Sequence, residues 1–320
     1  MIPAISVLMP CYNAGPFLAA SIASIVRQSF RDWEMLIVDD ASTDGSLEIA
    51  RDWARKDTRI RVLENASNKG QTRCLNQGLR ECRGRWVARQ DADDLSHPFR
   101  LARQFEILSS KQNIVLLGTA GRMIDSRNRL VGLLDVPNSP PCIRLAMRFL
   151  NPILHTAAAF DRSLVLTEFG GYDESFHIAQ DYDLWQRIVE KYQAANLSAR
   201  LVSYRHLPAS LSKAGSSTAF EEASRVAARL CGQISPQMVT ALTSLREGRP
   251  PENLRDTEAA LAHISKSLPA GEQQEWKNYS TRLLLRACGS GGPSAKMQGL
   301  ALALHRNPWD TLQWLLERFL

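Results

Sequence analysis

The sequence lacks a long hydrophobic run, paired cysteines and a dense basic tract, and each absence excludes a class of protein. No apolar stretch approaches the roughly 20 residues needed to span a bilayer. The six cysteines show no CxxC spacing, which argues against a structural zinc site and a disulfide framework. The net charge of +6 suits anionic ligands, but no basic and aromatic tract typical of nucleic-acid binding accompanies it. No signal peptide is evident at the N-terminus, so we expect a cytoplasmic protein.

Short apolar runs alternate with helical patterns over the first third of the chain. Strands are predicted at 5–9, 35–38, 60–63 and 86–88, and helices at 17–28, 46–55, 70–82 and 100–108. Strands that are apolar on both faces and separated by helices predict an α/β fold with a mainly parallel sheet flanked by helices. Past Gly215 the sequence is helix-rich and has no comparable motifs. We therefore predict a ligand-binding domain over 1–215 and a helical C-terminal region over 216–320.

Polar residues gather where three of the predicted strands end. Pro10-Cys11-Tyr12-Asn13 follows the first strand, Asp39-Asp40 the second, and Asp91-Ala92-Asp93-Asp94 the fourth. Parallel sheets bind ligands at the carboxyl ends of their strands. Three such ends on one edge predict a binding site there.

The acidic loop is the most specific of these features. Asp91, Asp93 and Asp94 repel one another, so their clustering favours either a cation or an open, solvated turn. Their hard oxygen ligands suit Mn²⁺ or Mg²⁺, ions that also bridge to substrate phosphates. Beside this loop, Tyr12 could stack on a nucleobase and Asp40 could accept a hydrogen bond from a base. The alternatives are a half-buried aromatic for Tyr12 and, for Asp39-Asp40, a helix N-terminal signal near Ser42-Thr43-Asp44.

Two further residues complete the predicted chemistry. Arg73 lies early in the helix after Gly70, where a cation and free backbone N–H groups would face a phosphate. Its alternative role is an ordinary solvated arginine. Asp181 lies in a polar segment that begins a helix, and a carboxylate there could take a proton from an acceptor hydroxyl. The alternative for Asp181 is a helix N-cap, and the two roles are compatible.

Seven motifs in this order resemble family 2 glycosyltransferases of the GT-A fold, over about residues 5–212. They are PCYN (10–13), VDDASTDGS (38–46), NKGQTRCLNQGL (68–79), ARQDADDLSHPFRL (88–101), NPILH (151–155), GGYDESF (170–176) and QDYDLWQR (180–187). Bacterial members that build surface polysaccharides are the most similar. The resemblance implies an inverting transfer of a sugar from a nucleotide sugar, with UDP expected, to a hydroxyl of a glycan or lipid-linked acceptor.

The resemblance also assigns roles to residues by position. The donor-binding set that it implies comprises Pro10, Tyr12, Asn13, Asp39, Asp40, Gly70, Arg73, Asp91, Ala92 and Asp93. Tyr12 and Asp40 would contact the uridine, and Asp93 or Asp94 would bind the Mn²⁺ or Mg²⁺ ion. Asp181 would be the catalytic base.

The sequence departs from the family pattern at two positions. The family usually has Glu before the base, whereas this chain has Gln180, which removes a negative charge near Asp181. A family histidine that approaches the metal in some relatives is shifted by one residue to His206. His206 is therefore held as a candidate ligand only, and His155 as either a ligand or a loop-bracing residue.

The role of the last predicted helix has two alternatives. In the segment 307–320, Trp309, Leu312, Leu316 and Phe319 share one helical face. This face predicts packing on the first domain or in a homo-oligomer, or peripheral contact with the inner face of the cell membrane.

Three rival functions fit the sequence less well. A sugar nucleotidyltransferase should carry a glycine-rich loop after the first strand, and PCYNAG lacks it. A receiver domain would be much shorter. A non-catalytic nucleotide-sugar binder would be favoured only if Gln180 marked a decayed site, and the intact Asp91, Asp93 and Asp181 argue against decay.

Overall fold

The computed structural model describes residues 2–148, 150–207, 216–231, 253–267 and 293–307, with a few single positions after 231. The strands are Ile5–Cys11 (β1), Trp33–Asp39 (β2), Ile60–Glu64 (β3), Trp86–Arg89 (β4), Leu95–Ser96 (β5), Ile114–Ile124 (β6), Leu130–Leu134 (β7), Ala159–Asp161 (β8) and Gln193–Arg205 (β9). The helices are Gly15–Val26 (α1), Ser46–Lys56 (α2), Gln71–Glu81 (α3), Arg100–Ser110 (α4), Pro140–Ala146 (α5), Arg162–Phe169 (α6), Gln180–Lys191 (α7), Ser216–Cys231 (α8), Leu254–Ser267 (α9) and Pro293–Arg306 (α10).

One sheet organises the first two thirds of the chain, in the order β3-β2-β1-β4-β8-β6-β9-β5, with β7 added beside β6. The pairs β3–β2, β2–β1 and β1–β4 are all parallel. Every residue of β1, β2 and β4 is buried, as expected for strands covered by helices on both faces. The predicted α/β class, with its mixed sheet flanked by helices, is confirmed.

Most of the second half of the sheet was not predicted from the sequence. β6 continues seven residues past the apolar run at 114–117, to Ile124, and β8 runs antiparallel between β4 and β6. β9 pairs in parallel along almost the whole of β6, with irregularities near Thr119 and Ala120. Its sequence lacks a strict alternation of polar and apolar residues, so it carries no strong strand signal, and the pairing with distant β6 decides its conformation.

The chain divides into two compact units, residues 1–140 with 152–222 and residues 141–151 with 223–320. The predicted domains, 1–215 and 216–320, stay a prediction. Among the described helices, none is both long and apolar enough to cross a membrane. The predicted apolar face of Trp309, Leu312, Leu316 and Phe319 lies outside the described residues.

Candidate functional site

The carboxyl ends of β1, β2 and β4 meet at one edge of the sheet. Cys11 lies opposite Asp39 in the parallel register, and the Asp40 backbone N–H donates to the Cys11 carbonyl at 2.8 Å. On the other side of β1, the Gln90 N–H donates to the Leu8 carbonyl at 3.1 Å. The residues that follow these strands, including Tyr12 and the 91–94 loop, are thereby brought to one edge.

Asp40 is buried at this edge and organises the turn before α3. Its Oδ1 accepts from the Lys69 backbone N–H and from Asn65 Nδ2, both at 2.9 Å, and its Oδ2 accepts from the Gly70 N–H at 2.8 Å. Burial raises the pKa of the Asp40 carboxyl, but these hydrogen bonds outweigh it and hold the pKa below its ordinary value. The Cys74 thiol also bonds to this carboxyl and lowers its pKa, so protein donors fill most of the roughly four acceptor positions of a carboxylate.

Tyr12 offers its ring to solvent beside this buried carboxylate. Its exposed fraction is 52%. The adjacent Asn13 and, across the edge, Ala41 have positive φ angles of 50° and 61°. Non-glycine residues in this region are strained, and such strain gathers at ligand sites. Asn13 Oδ1 accepts from the Thr43 N–H at 2.8 Å and so ties the two loops together.

Asp39 is buried beside Asp40 and has almost no exposed surface. Its exposed fraction is 1%, and Oδ2 accepts from the Ser42 backbone N–H at 3.1 Å. Within the described residues, the buried Oδ1 has no hydrogen-bond partner. Helix α2 begins only at Ser46, with Gly45 as its N-cap, so neither Asp39 nor Asp40 caps that helix.

The three aspartates of the acidic loop occupy different environments. Asp91 forms an ion pair with the fully buried Arg89 at 2.5 Å. Asp93 is partly exposed, whereas Asp94 is 1% exposed, and its Oδ1 accepts the Arg205 backbone N–H at 2.6 Å. The alternative of a fully solvated turn is therefore wrong: this loop is folded into the protein.

Burial and mutual repulsion make the loop electrostatically strained. Burial and the charge of Asp91 raise the pKa of Asp93 to about 6. Burial, Asp91 and Asp93 raise the pKa of Asp94 well above its ordinary value. Within the described residues, Asp94 Oδ2 has no hydrogen-bond partner. Carboxylates in this condition gain stability from an added cation.

The donor set therefore fits a hard divalent cation. Among the described residues, no three His, Cys, Asp or Glu side chains converge to hold a metal unaided. Mg²⁺ is typically bound by one or two carboxylates together with water and substrate phosphates, and this loop supplies carboxylates of that kind. Asp93 is the more accessible of the two predicted ligands, because Asp94 is buried and uses one oxygen on β9.

Three buried arginines support the loop, and sequence reasoning did not single out any of them. Arg89 and Arg100 have no exposed surface, and Arg205 is 2% exposed. Arg100 donates to Gln90 Oε1 at 2.9 Å and to the Arg89 carbonyl at 2.5 Å, and burial and Arg89 lower its pKa to about 9. Arg205 Nε donates to the Asp93 carbonyl at 2.8 Å. For Arg89, the available sequence signal was its position at the end of an otherwise apolar strand, two residues before Asp91.

The turn before α3 and the helix itself present Gly70 and Arg73. Gly70 has a φ of 90°, a conformation that favours glycine, and its N–H is used by Asp40 as described above. Arg73 lies on α3 with 61% of its side chain exposed, and its Nε is 3.3 Å from Glu174 Oε2. An exposed ion pair of this kind is weak and exchangeable, so the guanidinium stays accessible to an anion.

Asp181 is the second residue of α7. The N-cap is Ala179, whose side chain makes no capping bond, so the alternative in which Asp181 is the N-cap is wrong. Asp181 Oδ1 accepts the Tyr182 N–H at 2.8 Å. Burial raises the pKa of the Tyr172 hydroxyl, and the charges of both Asp181 and Asp91 add to that effect. The charges of both carboxylates therefore act on the buried Tyr172, against the opposing charge of Arg89.

Gln180 and Asp183 have structural partners of their own. Gln180 is 2% exposed, and its Nε2 donates to Gln71 Oε1 at 2.9 Å. This amide pair joins the N-termini of α7 and α3 without a charge. Asp183 is buried and pairs with Arg187 at 2.8 Å.

The two histidines differ in placement. His155 Nε2 lies 3.1 Å from the Tyr172 hydroxyl, and its ring packs edge-on against Tyr172 and Trp185. Burial, with the positive charge of Arg89, lowers the pKa of His155 well below its ordinary value, which suits a neutral, loop-bracing ring. His206 follows β9, and its backbone N–H donates to the Ile124 carbonyl at 2.8 Å. A metal-ligating role for His206 stays a prediction.

Comparison with known proteins agrees with this geometry. The profile of glycosyl transferase family 2 matches residues 6–164. The chain is 35% identical over 207 residues to the putative glycosyltransferase EpsE of Bacillus subtilis, covering 63% of this chain and 73% of EpsE. It is 30% identical over 208 residues to the O-antigen biosynthesis glycosyltransferase WbnJ of Escherichia coli, covering 63% of this chain and 79% of WbnJ.

A solved structure shares the fold. The crystal structure of residues 1–349 of Staphylococcus aureus TarS in complex with UDP-GlcNAc superposes with a TM-score of 0.59 at 15% identity, covering 95% of this chain and 92% of that 1–349 chain. The strand-end site, the matching profile and the relatives that the chain largely spans lead to one assignment. The chain belongs to glycosyltransferase family 2.

Proposed function

We propose that this glycosyltransferase transfers a sugar from a UDP-sugar, with inversion, to a hydroxyl of a glycan or lipid-linked acceptor in the synthesis of a cell-surface polysaccharide. The observation that carries the proposal is the meeting of Tyr12, Asp40 and the 91–94 loop at the ends of three parallel neighbouring strands. Similarity to WbnJ, whose name refers to O-antigen biosynthesis, supports the acceptor class. The UDP-GlcNAc bound to TarS supports the donor class.

Different residues at this edge of the sheet suit the base and the diphosphate of a UDP-sugar. The exposed ring of Tyr12 would stack on the uracil, and Asp40 beside it would accept the N–H of that base. Arg73, on the first turn of α3, would meet the diphosphate. The acidic loop would lie on the far side of the same diphosphate, at the end of β4.

Asp181 would act on the acceptor. A carboxylate at the start of α7 can accept the proton of an acceptor hydroxyl as its oxygen attacks the anomeric carbon. Attack from the face opposite the departing diphosphate inverts the anomeric configuration. Gln180 beside it adds no charge, so Asp181 meets the acceptor without a neighbouring carboxylate at position 180.

Asp93, with Asp94 or Asp91 behind it, would hold a divalent cation. When bound, Mn²⁺ or Mg²⁺ would neutralise negative charge on the UDP leaving group. Cytoplasmic action at the inner face of the membrane, and the homo-oligomer, remain predictions.

Tyr12→Ala is expected to weaken UDP binding by about 1 to 3 kcal/mol, because the base loses its stacking platform. That is roughly a 5- to 150-fold rise in Kd by calorimetry with Mn²⁺ present. Phe99→Ala is the matched control, since Phe99 is 55% exposed and Tyr12 is 52% exposed. Equal affinities for the Tyr12 variant and the wild type would remove Tyr12 from the donor site.

A donor panel tests the proposal as a whole. Thermal shift with UDP-, GDP-, dTDP- and CMP-sugars and Mn²⁺ should single out a UDP-sugar, and that donor should release UDP when acceptor glycans are added. A sugar nucleotidyltransferase would instead form UDP-sugar from UTP and a sugar phosphate, releasing pyrophosphate. Stabilisation by UDP-sugar with no UDP release from any acceptor would favour the non-catalytic binder.

A further inference from the structure

A glutamate outside the seven family-like motifs holds the chain that leads into α7. Glu222 lies on α8 and is 7% exposed. Its Oε1 accepts the His177 backbone N–H at 2.9 Å, and its Oε2 accepts the N–H groups of Ile178 at 2.8 Å and Ala179 at 2.9 Å. One buried carboxylate thus binds three consecutive backbone donors.

These three donors directly precede the helix that carries Asp181. Burial raises the pKa of Glu222, but the backbone N–H groups of Ala179, His177 and Ile178 outweigh it and hold the pKa below its ordinary value. Hydrogen bonds to an ionised acceptor are shorter and stronger than neutral ones. Because the N-cap Ala179 has no side chain that could cap α7, Glu222 supplies from another helix the negative charge that a helix N-terminus favours.

The segment before these donors is held separately, by α3. Thr72 Oγ1 donates to the Phe176 carbonyl at 2.7 Å. Asn76 Oδ1 accepts the Tyr172 N–H and Asn76 Nδ2 donates to the Tyr172 carbonyl, both at 2.9 Å. Residues 172–176 are therefore fixed to the helix at the donor site, and residues 177–179 to Glu222. Loss of Glu222 would release only the last three residues before α7.

We propose that Glu222 is a positioning residue for transfer, which sets the direction in which α7 leaves residues 177–179 and hence the placement of Asp181 against the acceptor. The inference rests on the proposed role of Asp181 as the base. Glu222 itself touches neither donor nor acceptor. Its effect should appear in the chemical step and not in nucleotide binding, because the Tyr12, Asp40 and Asp93 side of the site is attached to other strands.

The experiment compares Glu222→Gln and Glu222→Ala with Glu221→Gln and Glu221→Ala. Glu221 is the exposed neighbour on the same helix and controls for the loss of one carboxylate. The glutamine variant keeps the shape of Glu222 but turns an NH₂ group toward the backbone donors. We expect both Glu222 variants to lower kcat for UDP release from the panel-selected UDP-sugar and acceptor by on the order of 10- to 100-fold. UDP affinity by calorimetry should change by less than about 2-fold, and the Glu221 variants should match the wild type.

Amide hydrogen exchange and a double-mutant cycle distinguish a local effect of Glu222 from a general loss of structure. Exchange at residues 177–179 should accelerate in the Glu222 variants while exchange in β1, β2 and β4 stays at wild-type rates. Combined with Asp181→Asn, Glu222→Ala should lower the residual rate by no more than about 2-fold, since residues acting through one group are non-additive.

Two results would overturn the proposal. One is an equal fractional loss from Glu222→Ala in the wild-type and Asp181→Asn backgrounds. The other is a fall in UDP affinity parallel to the fall in kcat, which would assign Glu222 to the donor site or to overall stability. Full activity of Asp181→Asn alone would instead refute the base assignment, and this outcome is distinct because it is visible without any Glu222 variant.

Discussion

Asp181→Asn is expected to slow sugar transfer by about 10²- to 10⁴-fold, the range that a general base contributes. Asparagine preserves the shape of the side chain and can still accept the Tyr182 N–H that Asp181 Oδ1 binds at 2.8 Å. It cannot take a proton from the acceptor hydroxyl. The fold around α7 should therefore persist while the chemistry fails.

The measurement separates binding from chemistry. UDP affinity by calorimetry should match the wild type, and UDP release with acceptor present should fall by the factor given above. Glu190→Gln is the control, because Glu190 is exposed at the other end of the same helix. A rate within about 3-fold of wild type for Asp181→Asn would assign the base to another residue, since that loss is far below a general base's contribution.

The part of the fold that the sequence predicts well is the part with local signals. β1, β2 and β4 are mostly apolar runs followed by polar turns, and the helices between them have regular apolar spacing. Tyr12 and Asp40 could be placed because each follows such a strand directly. Parallel neighbouring strands end at the same edge, so sequence position alone placed these residues together.

The rest depends on contacts between distant residues. β9 takes its conformation from pairing with β6, and a partner some 80 residues away leaves no periodic mark on its own sequence. The division of labour within the acidic loop was equally hidden, because Asp94 is committed by the backbone of Arg205. Glu222 lacked a motif because its partners are backbone N–H groups, which carry no residue identity.

Asp93→Asn should make the metal-free protein more stable at neutral pH while it abolishes cation-dependent donor binding. Burial and Asp91 raise the pKa of Asp93 from 3.8 to about 6 in the folded protein. The folded state therefore holds this proton more tightly than the unfolded state does. Ionisation of Asp93 therefore lowers the free energy of unfolding. This stability is lost as the pH rises from about 4 to about 6, and the loss is complete above pH 6.

The size of the gain follows from the same shift. A shift of about two pH units corresponds to on the order of 2 to 3 kcal/mol at pH 7.5. Asparagine carries no charge to desolvate, so the variant should recover about that amount in urea unfolding with EDTA present. The advantage should shrink by about 1 kcal/mol at pH 5, where much of the wild-type Asp93 is protonated. Asp32→Asn, at an exposed site, should show neither the gain nor its pH dependence.

Donor binding should move in the opposite direction. With Mn²⁺ present, UDP affinity should fall by about 100-fold or more in Asp93→Asn, the scale on which lost support at a metal site acts. EDTA should lower wild-type affinity to a similar level and leave the variant unchanged. A stability gain without a loss of Mn²⁺-dependent UDP binding would mean that Asp93 is strained for another reason and that Asp91 or Asp94 holds the cation. The joint result would instead show that the acidic loop gives up folding stability in order to bind a cation, since the repulsion that weakens the free protein is what the ion relieves.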